Sequence, residues 1–213
     1  VSILTAVFLA EVAPKKLAAI VQPAVELLAA IPSVIYGLLG LMILTPWMYG
    51  LEKKIFAGSQ NHQFTGGANL ISAVIVLAIM ILPTVINISV SSIKAVPQQM
   101  KSASLALGAT KIQTIFGVVL PAAKSGIMTA IVLGIGRALG EAMAISLVSG
   151  SAVNIPLPFN SVRFLTTAIV SDMSYSQGTH RQVLFTIGLV LFVFIMVINL
   201  ILTRLIKKGE QEV

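Results

Sequence analysis

Residues Ala68–Val90 read ANLISAVIVLAIMILPTVINISV, a nearly unbroken apolar run without a charged side chain. At about 1.5 Å of rise per residue, a helix of this length covers the roughly 30 Å hydrocarbon core of a bilayer. Three further runs are apolar and long enough to cross, namely Ile31–Gly50, Ser125–Ser149 and Val183–Leu205. Strands of a membrane barrel would be short and alternate in polarity, so these runs predict an all-α bundle of transmembrane helices.

The composition of the whole chain indicates the same lipid solvent. Of 213 residues, 57% are hydrophobic and 10% are charged, and the mean hydropathy is +0.99. The net charge is +7, but the cations lie mainly between and after the apolar runs, which indicates membrane topology and no nucleic-acid partner. Cysteine is absent and no metal-ligand spacing occurs, so we expect no disulfide, metal or other cofactor in this chain. We interpret His62 and His180 as polar residues of external loops.

The distribution of Lys and Arg predicts which side of the membrane each connection faces. The segments around Lys15, from Lys94 to Lys124 and around Lys208 hold nine of the 14 cations. By the positive-inside rule these segments, and with them the C-terminus, face the cytoplasm. Val1–Ala10 is too short to cross alone, so we expect it to be the tail of a spanning helix whose beginning is missing.

Two of the connecting segments are predicted to be more than turns. Pro14–Ala30 is predicted as a short helix along the inner face, interrupted at Pro23. Pro156–Met173 is predicted as a partly apolar segment at the outer face. No composition break divides the chain, so residues 1–213 are predicted to form one transmembrane domain.

The cytoplasmic connection Ser92–Pro121, called the elbow below, reads SIKAVPQQMKSASLALGATKIQTIFGVVLP. Gly108 suits the left-handed position after a first helix, and Thr110 with Gln113 forms a capping box that opens a second helix. Pro121 is predicted to end that second helix. The pattern therefore predicts helix–turn–helix, which is either a docking surface or a loop that packs only on its own helices.

Residues Gly134–Ile145, GIGRALGEAMAI, place two charges inside an apolar run. Arg137 and Glu141 are four apart, so one continuous helix would present both on one face. Each charge in mid-bilayer costs about 2.5–3.5 kcal/mol, so both are predicted to face the bundle interior or a wet cavity. An arginine fork binds phosphate-like oxyanions, and a nearby carboxylate keeps such an anion from being trapped. The alternative is a structural pair in which the two charges neutralise each other.

A stripe of small residues precedes these charges. Gly126, Ala130 and Gly134 recur at intervals of four. This spacing is typical of helices that approach one another closely in membranes. We therefore predict a packing role for the stripe rather than a ligand contact.

The elbow resembles the EAA loop of ABC importer permeases, which reads E-A-A-x-x-x-G, nine residues, then I-x-L-P. Gly108 supplies the glycine and Pro121 the final proline, whereas Ser102 and Ser104 replace the glutamate and the second alanine. The likeness implies that segment 92–121 inserts into a groove on a separate ATPase subunit, without the salt bridge that the glutamate would make. The residues it implies for this contact are Ser102, Ala103, Leu107, Gly108, Ala109 and Pro121.

The run from Gly134 to Glu141, G-x-x-R-A-x-G-E, is similar to a signature of the permeases of the Pst phosphate importer, and Ala142–Ala144 favours the C-type subunit. The likeness implies an all-α, MetI-like permease bundle lacking its first helix, in the bacterial inner membrane. It implies that phosphate passes Arg137 and Glu141 and that the chain is not itself an enzyme. It also implies three kinds of partner: a second permease, two ATPase subunits that bind ATP and Mg²⁺, and an extracytoplasmic phosphate-binding protein.

Two alternatives to phosphate import stay open from the residues. The same fold would serve a sulfate, molybdate or polyamine permease, although the Arg-Glu run favours an oxyanion. An ATP-independent channel or secondary transporter would instead use Glu141 as a proton relay. No G-x-x-x-x-G-K-[ST] occurs in the chain, so any ATPase must be a separate subunit.

Overall fold

Nearly all of the regular secondary structure in the part of the chain that can be described is helical. The structure, a computed structural model, describes the backbone of residues 1–59 and 62–211 and the side chains up to residue 204. Lys208, whose charge contributes to the predicted topology, lies outside the described side chains. The helices are α1 Ser2–Val7, α2 Lys15–Ala30, α3 Ser33–Leu39, α4 Thr45–Ile55, α5 Leu70–Lys94, α6 Gln98–Ala106, α7 Lys111–Thr114, α8 Leu120–Ala122, α9 Lys124–Leu139, α10 Met143–Val148, α11 Leu165–Asp172 and α12 Gly178–Gln211.

Three short π-helical turns extend these helices without a break in helical geometry. They lie at Phe8–Val12 after α1, at Gly40–Leu44 between α3 and α4, and at Ile115–Val119 between α7 and α8. Within the described ranges no β-strand occurs, and one isolated backbone bridge joins Gly150 to Val162. The predicted all-α class is therefore confirmed.

Three helical stretches within the described residues are long and apolar enough to cross a bilayer by length and composition. They cover Ser33–Ile55, Leu70–Lys94 and Gly178–Arg204, in agreement with three of the four predicted runs. Ser2–Val12 forms a shorter apolar helix where the tail of a spanning helix was expected. Hydropathy alone therefore located these elements to within a few residues.

The fourth predicted run, Ser125–Ser149, is not one helix. α9 ends at Leu139 and α10 begins at Met143, so a non-helical break separates Arg137 from Glu141. The predicted shared face is wrong because it required one continuous helix. Glycine at position 140 disfavours helix by about 1 kcal/mol, and the carboxylate that follows caps the next helix instead of extending α9.

Two prolines also act differently from the prediction. The second helix of the elbow continues past Pro121 to Ala122, and only then does the chain bend by 66° into α9. Pro121 occupies the first turn of α8, where a missing N–H is tolerated. Pro23 lies inside α2, which remains helical on both sides, so the predicted interruption is wrong.

The described chain divides into two compact units, and unit 1 carries the elbow. It comprises Val1–Ala30, Ile81–Arg137 and the part of α12 from Ile198 onward. The core of unit 1 is formed by Ala6, Val7, Leu9, Val25, Ile86, Val90, Ile93, Val96, Ile115, Val119, Ala123 and Ile127. Because Ile93 and Val119 lie near the two ends of the elbow and belong to this core, both ends of the elbow are fixed in it.

Unit 2 comprises Ile31–Met80 and Ala138–Val197. Its core is formed by Tyr36, Ala73, Val76, Met80, Ala144, Ile145 and Val148. Two glycines let α3 and its π-helical extension approach the core closely. A Cβ at Gly37 would lie 2.7 Å from Ala144 Cα, and one at Gly40 would lie 2.6 Å from Val76 Cγ2. Larger residues at either position would force the elements apart.

Candidate functional site

Arg137 lies near the end of α9 in unit 1 and contacts α5. Its Nη1 donates a hydrogen bond to Thr84 Oγ1 at 2.8 Å, and the residue is half-buried. Within the described part of the chain this is the one hydrogen bond of its side chain. A guanidinium has five N–H donors, so most of them remain for water or an anion. The arginine side chain is thus held by a neutral partner.

The small-residue stripe on α9 sets how closely that helix approaches α5. A Cβ at Gly134 would lie 2.8 Å from Val85 Cγ2, and one at Gly126 would lie 2.3 Å from Ser92 Oγ. Ala130, between them, is fully buried. The predicted packing role of the stripe is confirmed.

Glu141 lies in unit 2 and has a structural contact that the sequence reasoning missed. It is 9% exposed, and its Oε1 accepts a hydrogen bond from the N–H of Ala144 at 2.9 Å. The carboxylate therefore satisfies one of the free N–H groups at the start of α10. The Thr166 hydroxyl donates to the Glu141 carbonyl oxygen at 2.9 Å. A glycine followed by an acidic residue is a signal for such a helix boundary.

Glu141 also lines a cavity in unit 2 of about 280 Å³. The other lining residues are Leu77, Ala138, Leu139, Ile145, Phe164, Leu165, Thr166 and Leu191. Most of these side chains are apolar, and among the lining residues the Glu141 carboxylate is the one charged group. A charge in such surroundings interacts with an ion more strongly than it would in water.

The turn of the elbow has the predicted geometry. Gly108 has φ +88°, and its N–H donates to the Leu105 carbonyl oxygen at 3.0 Å. The N–H of Ala109 donates to the Ser104 carbonyl oxygen at 3.2 Å. These two bonds form a Schellman motif, which satisfies the last carbonyls of α6. The left-handed position that the sequence assigned to this glycine is confirmed.

The second helix of the elbow opens with the predicted capping box. Thr110 Oγ1 accepts a hydrogen bond from the N–H of Gln113 at 3.3 Å, and Gln113 Oε1 accepts one from the N–H of Thr110 at 2.8 Å. The hydroxyls of Ser104 and Thr114 lie 3.0 Å apart and join the two helices. The elbow is therefore a rigid helix–turn–helix, stabilised by contacts at both sides of its turn.

The residues predicted to contact an ATPase lie at the surface of the elbow. Ser102, Ala103, Leu107, Gly108 and Pro121 are exposed, and Ala109 is half-buried. Leu107 is 90% exposed at the turn. The Ser102 hydroxyl donates to the Gln98 carbonyl oxygen of its own helix at 2.9 Å. Exposed apolar side chains on a polar connection indicate a surface that a partner covers.

A buried polar cluster in unit 2 was not predicted. Glu52 is fully buried, and its Oε1 accepts a hydrogen bond from the N–H of Thr65 at 2.9 Å. His62 Nε2 lies 2.9 Å from the same oxygen, and Phe56 stacks on the imidazole at 3.7 Å. His62 is thus a loop residue, as predicted, but one whose side chain is only 10% exposed. No group of three or more His, Cys, Asp or Glu suited to a metal lies within the described ranges.

The chain as a whole matches a family of transport proteins. The family described as binding-protein-dependent transport system inner membrane component matches residues 2–210. The chain belongs to this family. The matched range includes the elbow, Arg137 and Glu141.

Curated relatives are described as permease proteins. The chain is 38% identical over 206 residues to the probable ABC transporter permease protein YqgH of Bacillus subtilis (strain 168), covering 93% of this chain and 63% of that protein. It is 35% identical over 222 residues to the phosphate transport system permease protein PstC of Pasteurella multocida (strain Pm70), covering 97% of this chain and 68% of that protein. The resemblance to Pst permeases is confirmed, and the chain spans roughly two thirds of the length of these relatives.

A solved structure shows the same fold. It is described as inward-facing conformations of the MetNI methionine ABC transporter, and one of its chains aligns with a TM-score of 0.63 at 20% identity. The alignment covers 98% of this chain and 85% of that one. The predicted MetI-like fold of this inner membrane component is therefore confirmed.

Proposed function

We propose that this chain is the membrane-spanning permease subunit of an ATP-driven ABC importer of inorganic phosphate. The observation that carries the proposal is the likeness, over nearly the whole chain, to permease proteins described as PstC. The geometry around Arg137 and the rigid elbow support it independently. The chain supplies a path and a mechanical connection, and it performs no covalent step.

Arg137 is the residue that phosphate passes in this proposal. Thr84 orients the guanidinium through one hydrogen bond, and the remaining N–H groups stay available in a fork that fits two phosphate oxygens. None of the described partners of Arg137 is a carboxylate. Its charge is therefore available to a passing anion. A single such site attracts phosphate without holding it tightly, as conduction requires.

Glu141 has a second role on the pathway in the proposal. Its carboxylate lines an otherwise apolar cavity and is held in place by the N–H of Ala144. A fixed negative charge repels an anion, which shortens the time that phosphate stays at the path. The fixed orientation supports this role because the carboxylate has little freedom to turn away.

The elbow, segment 92–121, transmits the motion of a separate ATPase. Its turn is rigid and its tip at Leu107 is exposed, so it fits a groove on a partner. The other predicted contacts are Ser102, Ala103, Gly108, Ala109 and Pro121. The ATPase subunits bind ATP and Mg²⁺, a second permease completes the path, and an extracytoplasmic binding protein delivers phosphate.

The charge distribution supports an orientation with the elbow and the C-terminus in the cytoplasm. Lys94, Lys101, Lys111 and Lys124 all lie in or next to the elbow. Lys and Arg accumulate in cytoplasmic connections. In the proposal the chain is a multi-pass protein of the bacterial inner membrane, and residues 1–213 form one domain.

Transport by the assembled complex tests the proposal. The full-length protein is reconstituted with its partner subunits in proteoliposomes, and uptake of [³²P]phosphate and [³⁵S]sulfate is measured with ATP at the ATPase side. We expect ATP-dependent phosphate uptake well above sulfate uptake. Equal or greater sulfate flux would replace phosphate by another oxyanion. Uptake that follows a proton gradient without ATP would instead support a secondary transporter.

A further inference from the structure

A largely buried ion pair in unit 1 connects the elbow to the helix Ser2–Val12. The Lys101 ammonium lies 2.5 Å from Glu11 Oε1, and the two side chains are 15% and 13% exposed. Lys101 belongs to α6 of the elbow, whereas Glu11 belongs to the π-helical turn Phe8–Val12. The two residues are 90 positions apart in the sequence. The contact therefore joins the elbow to the apolar helix Ser2–Val12.

The surroundings of Glu11 make this pairing costly to break. Its neighbours along the π-helical turn are apolar, and a carboxylate taken from water needs a partner or it destabilises the structure. Removing one member of a largely buried pair leaves the other charge unpaired, which costs more than removing both. π-Helical turns inside helices are also frequent at functional positions. The pairing of a glutamate at such a turn with a distant lysine therefore points to a role in the structure or function of the protein.

A hydrophobic core also connects the elbow to the helix Ser2–Val12. Ile93 and Val119, near the two ends of the elbow, share one buried core with Ala6, Val7 and Leu9. This core fixes the base of the elbow, and the ion pair fixes α6 further along its length. On α6, Lys101 is turned partly inward, while Ser102 and Ala103 are exposed. One side of the helix is thus available for docking while the other is tied to the N-terminal helix.

We propose that Glu11 and Lys101 form a latch that fixes the angle of α6 on the helix Ser2–Val12. When the ATPase displaces the elbow, α6 and the helix Ser2–Val12 then move together. Both are positioning residues, since neither touches the transported anion in the proposal. The latch rests on the proposed function only in that the elbow docks on an ATPase, and it does not depend on phosphate as the substrate.

Hydrogen exchange of the assembled complex tests the latch without any transport measurement. We expect amide exchange over 98–106 to rise about ten-fold in Glu11→Gln and in Lys101→Gln, each of which loses a charged hydrogen bond. In the double variant the exchange rate should rise by less than the two single effects combined, because neither charge is left without its partner. Glu26→Gln and Lys124→Gln are matched controls at exposed positions outside the elbow. Single variants that behave like the controls would overturn the latch.

The ratio of anion moved to ATP hydrolysed tests whether the latch transmits motion. We expect each single variant to lower this ratio about ten-fold while ATP hydrolysis continues, and the swap of Glu11→Lys with Lys101→Glu to restore most of it. Faster exchange with an unchanged ratio would show a merely structural pair and overturn the proposal. If the wild type moves another anion, the phosphate proposal fails, and the same ratio measured with that anion still decides the latch.

Discussion

Replacement of Gly134 by alanine measures how tightly α9 lies against α5. The new Cβ would lie 2.8 Å from Val85 Cγ2 and 3.0 Å from Ile81 Cγ2. Carbon atoms in relaxed contact are about 3.5–4.0 Å apart, so the helices must separate by roughly 0.5–1 Å. Both neighbours are β-branched and stiff at χ1, so they do not rotate out of the way. Overpacking of this kind costs about 1–3 kcal/mol of stability.

This separation also reaches the arginine one turn further along α9. The bond from Arg137 Nη1 to Thr84 Oγ1 is 2.8 Å long, and such bonds extend to about 3.2 Å. The slack of about 0.4 Å is smaller than the expected separation. We therefore expect Gly134→Ala to lose this bond and to lower phosphate uptake about ten-fold, since a bond to a charged group contributes about 1.5 kcal/mol.

Gly136→Ala is the matched control, because its Cβ would lie 3.8 Å from Asn199 Oδ1 in ordinary contact. Both variants gain the same helix propensity, about 0.8–1.0 kcal/mol, so their difference isolates the steric cost. Thermal unfolding of the purified complex and uptake by proteoliposomes are measured side by side. Equal stability and equal uptake for Gly134→Ala and Gly136→Ala would refute the close contact and its link to the arginine.

Three further substitutions test the path, the elbow and the buried cluster. If phosphate passes Arg137 as proposed, Arg137→Gln removes two charged hydrogen bonds to the anion and should lower uptake more than about 100-fold with the complex still assembled. Near-normal uptake would show that Arg137 is dispensable. Gly108→Val should cost about 1–2 kcal/mol at its positive φ and weaken ATPase docking in a pull-down, and unchanged docking would argue against the turn. Glu52→Ala should lower the melting temperature more than His62→Ala, because it leaves the partly buried donors of Thr65 and His62 unpaired, at a cost of up to about 1–3 kcal/mol each. The reverse order would contradict the central role of the carboxylate.

The features that the sequence predicted correctly arise from interactions between near neighbours in the chain. Apolar runs located the spans because burial in lipid depends on the composition of each segment. The Schellman motif at Gly108 and the capping box at Thr110 were predictable because their hydrogen bonds join residues at most five positions apart. The small-residue stripe on α9 was predictable because helical periodicity alone places it on one face.

The candidate path was predicted only in part. The sequence singled out Arg137 and Glu141 because charges are rare in apolar runs. It did not reveal the break between them, since a hydropathy run carries no information on where a helix bends or ends. The break before α9 was expected at Pro121 and lies one residue later, whereas its angle of 66° was not predicted. The partner of Arg137 was also missed, because Thr84 is 53 positions away.

By itself, the sequence determined that this chain lies in lipid, that its spans are helical and that a rigid elbow connects two of them. Only the tertiary structure decided which distant side chains meet, such as Lys101 with Glu11 across 90 positions. Capping and hydropathy depend on free energies that act within a few residues. Pairings between helices depend on which faces pack together, and that is set by the buried core of each unit.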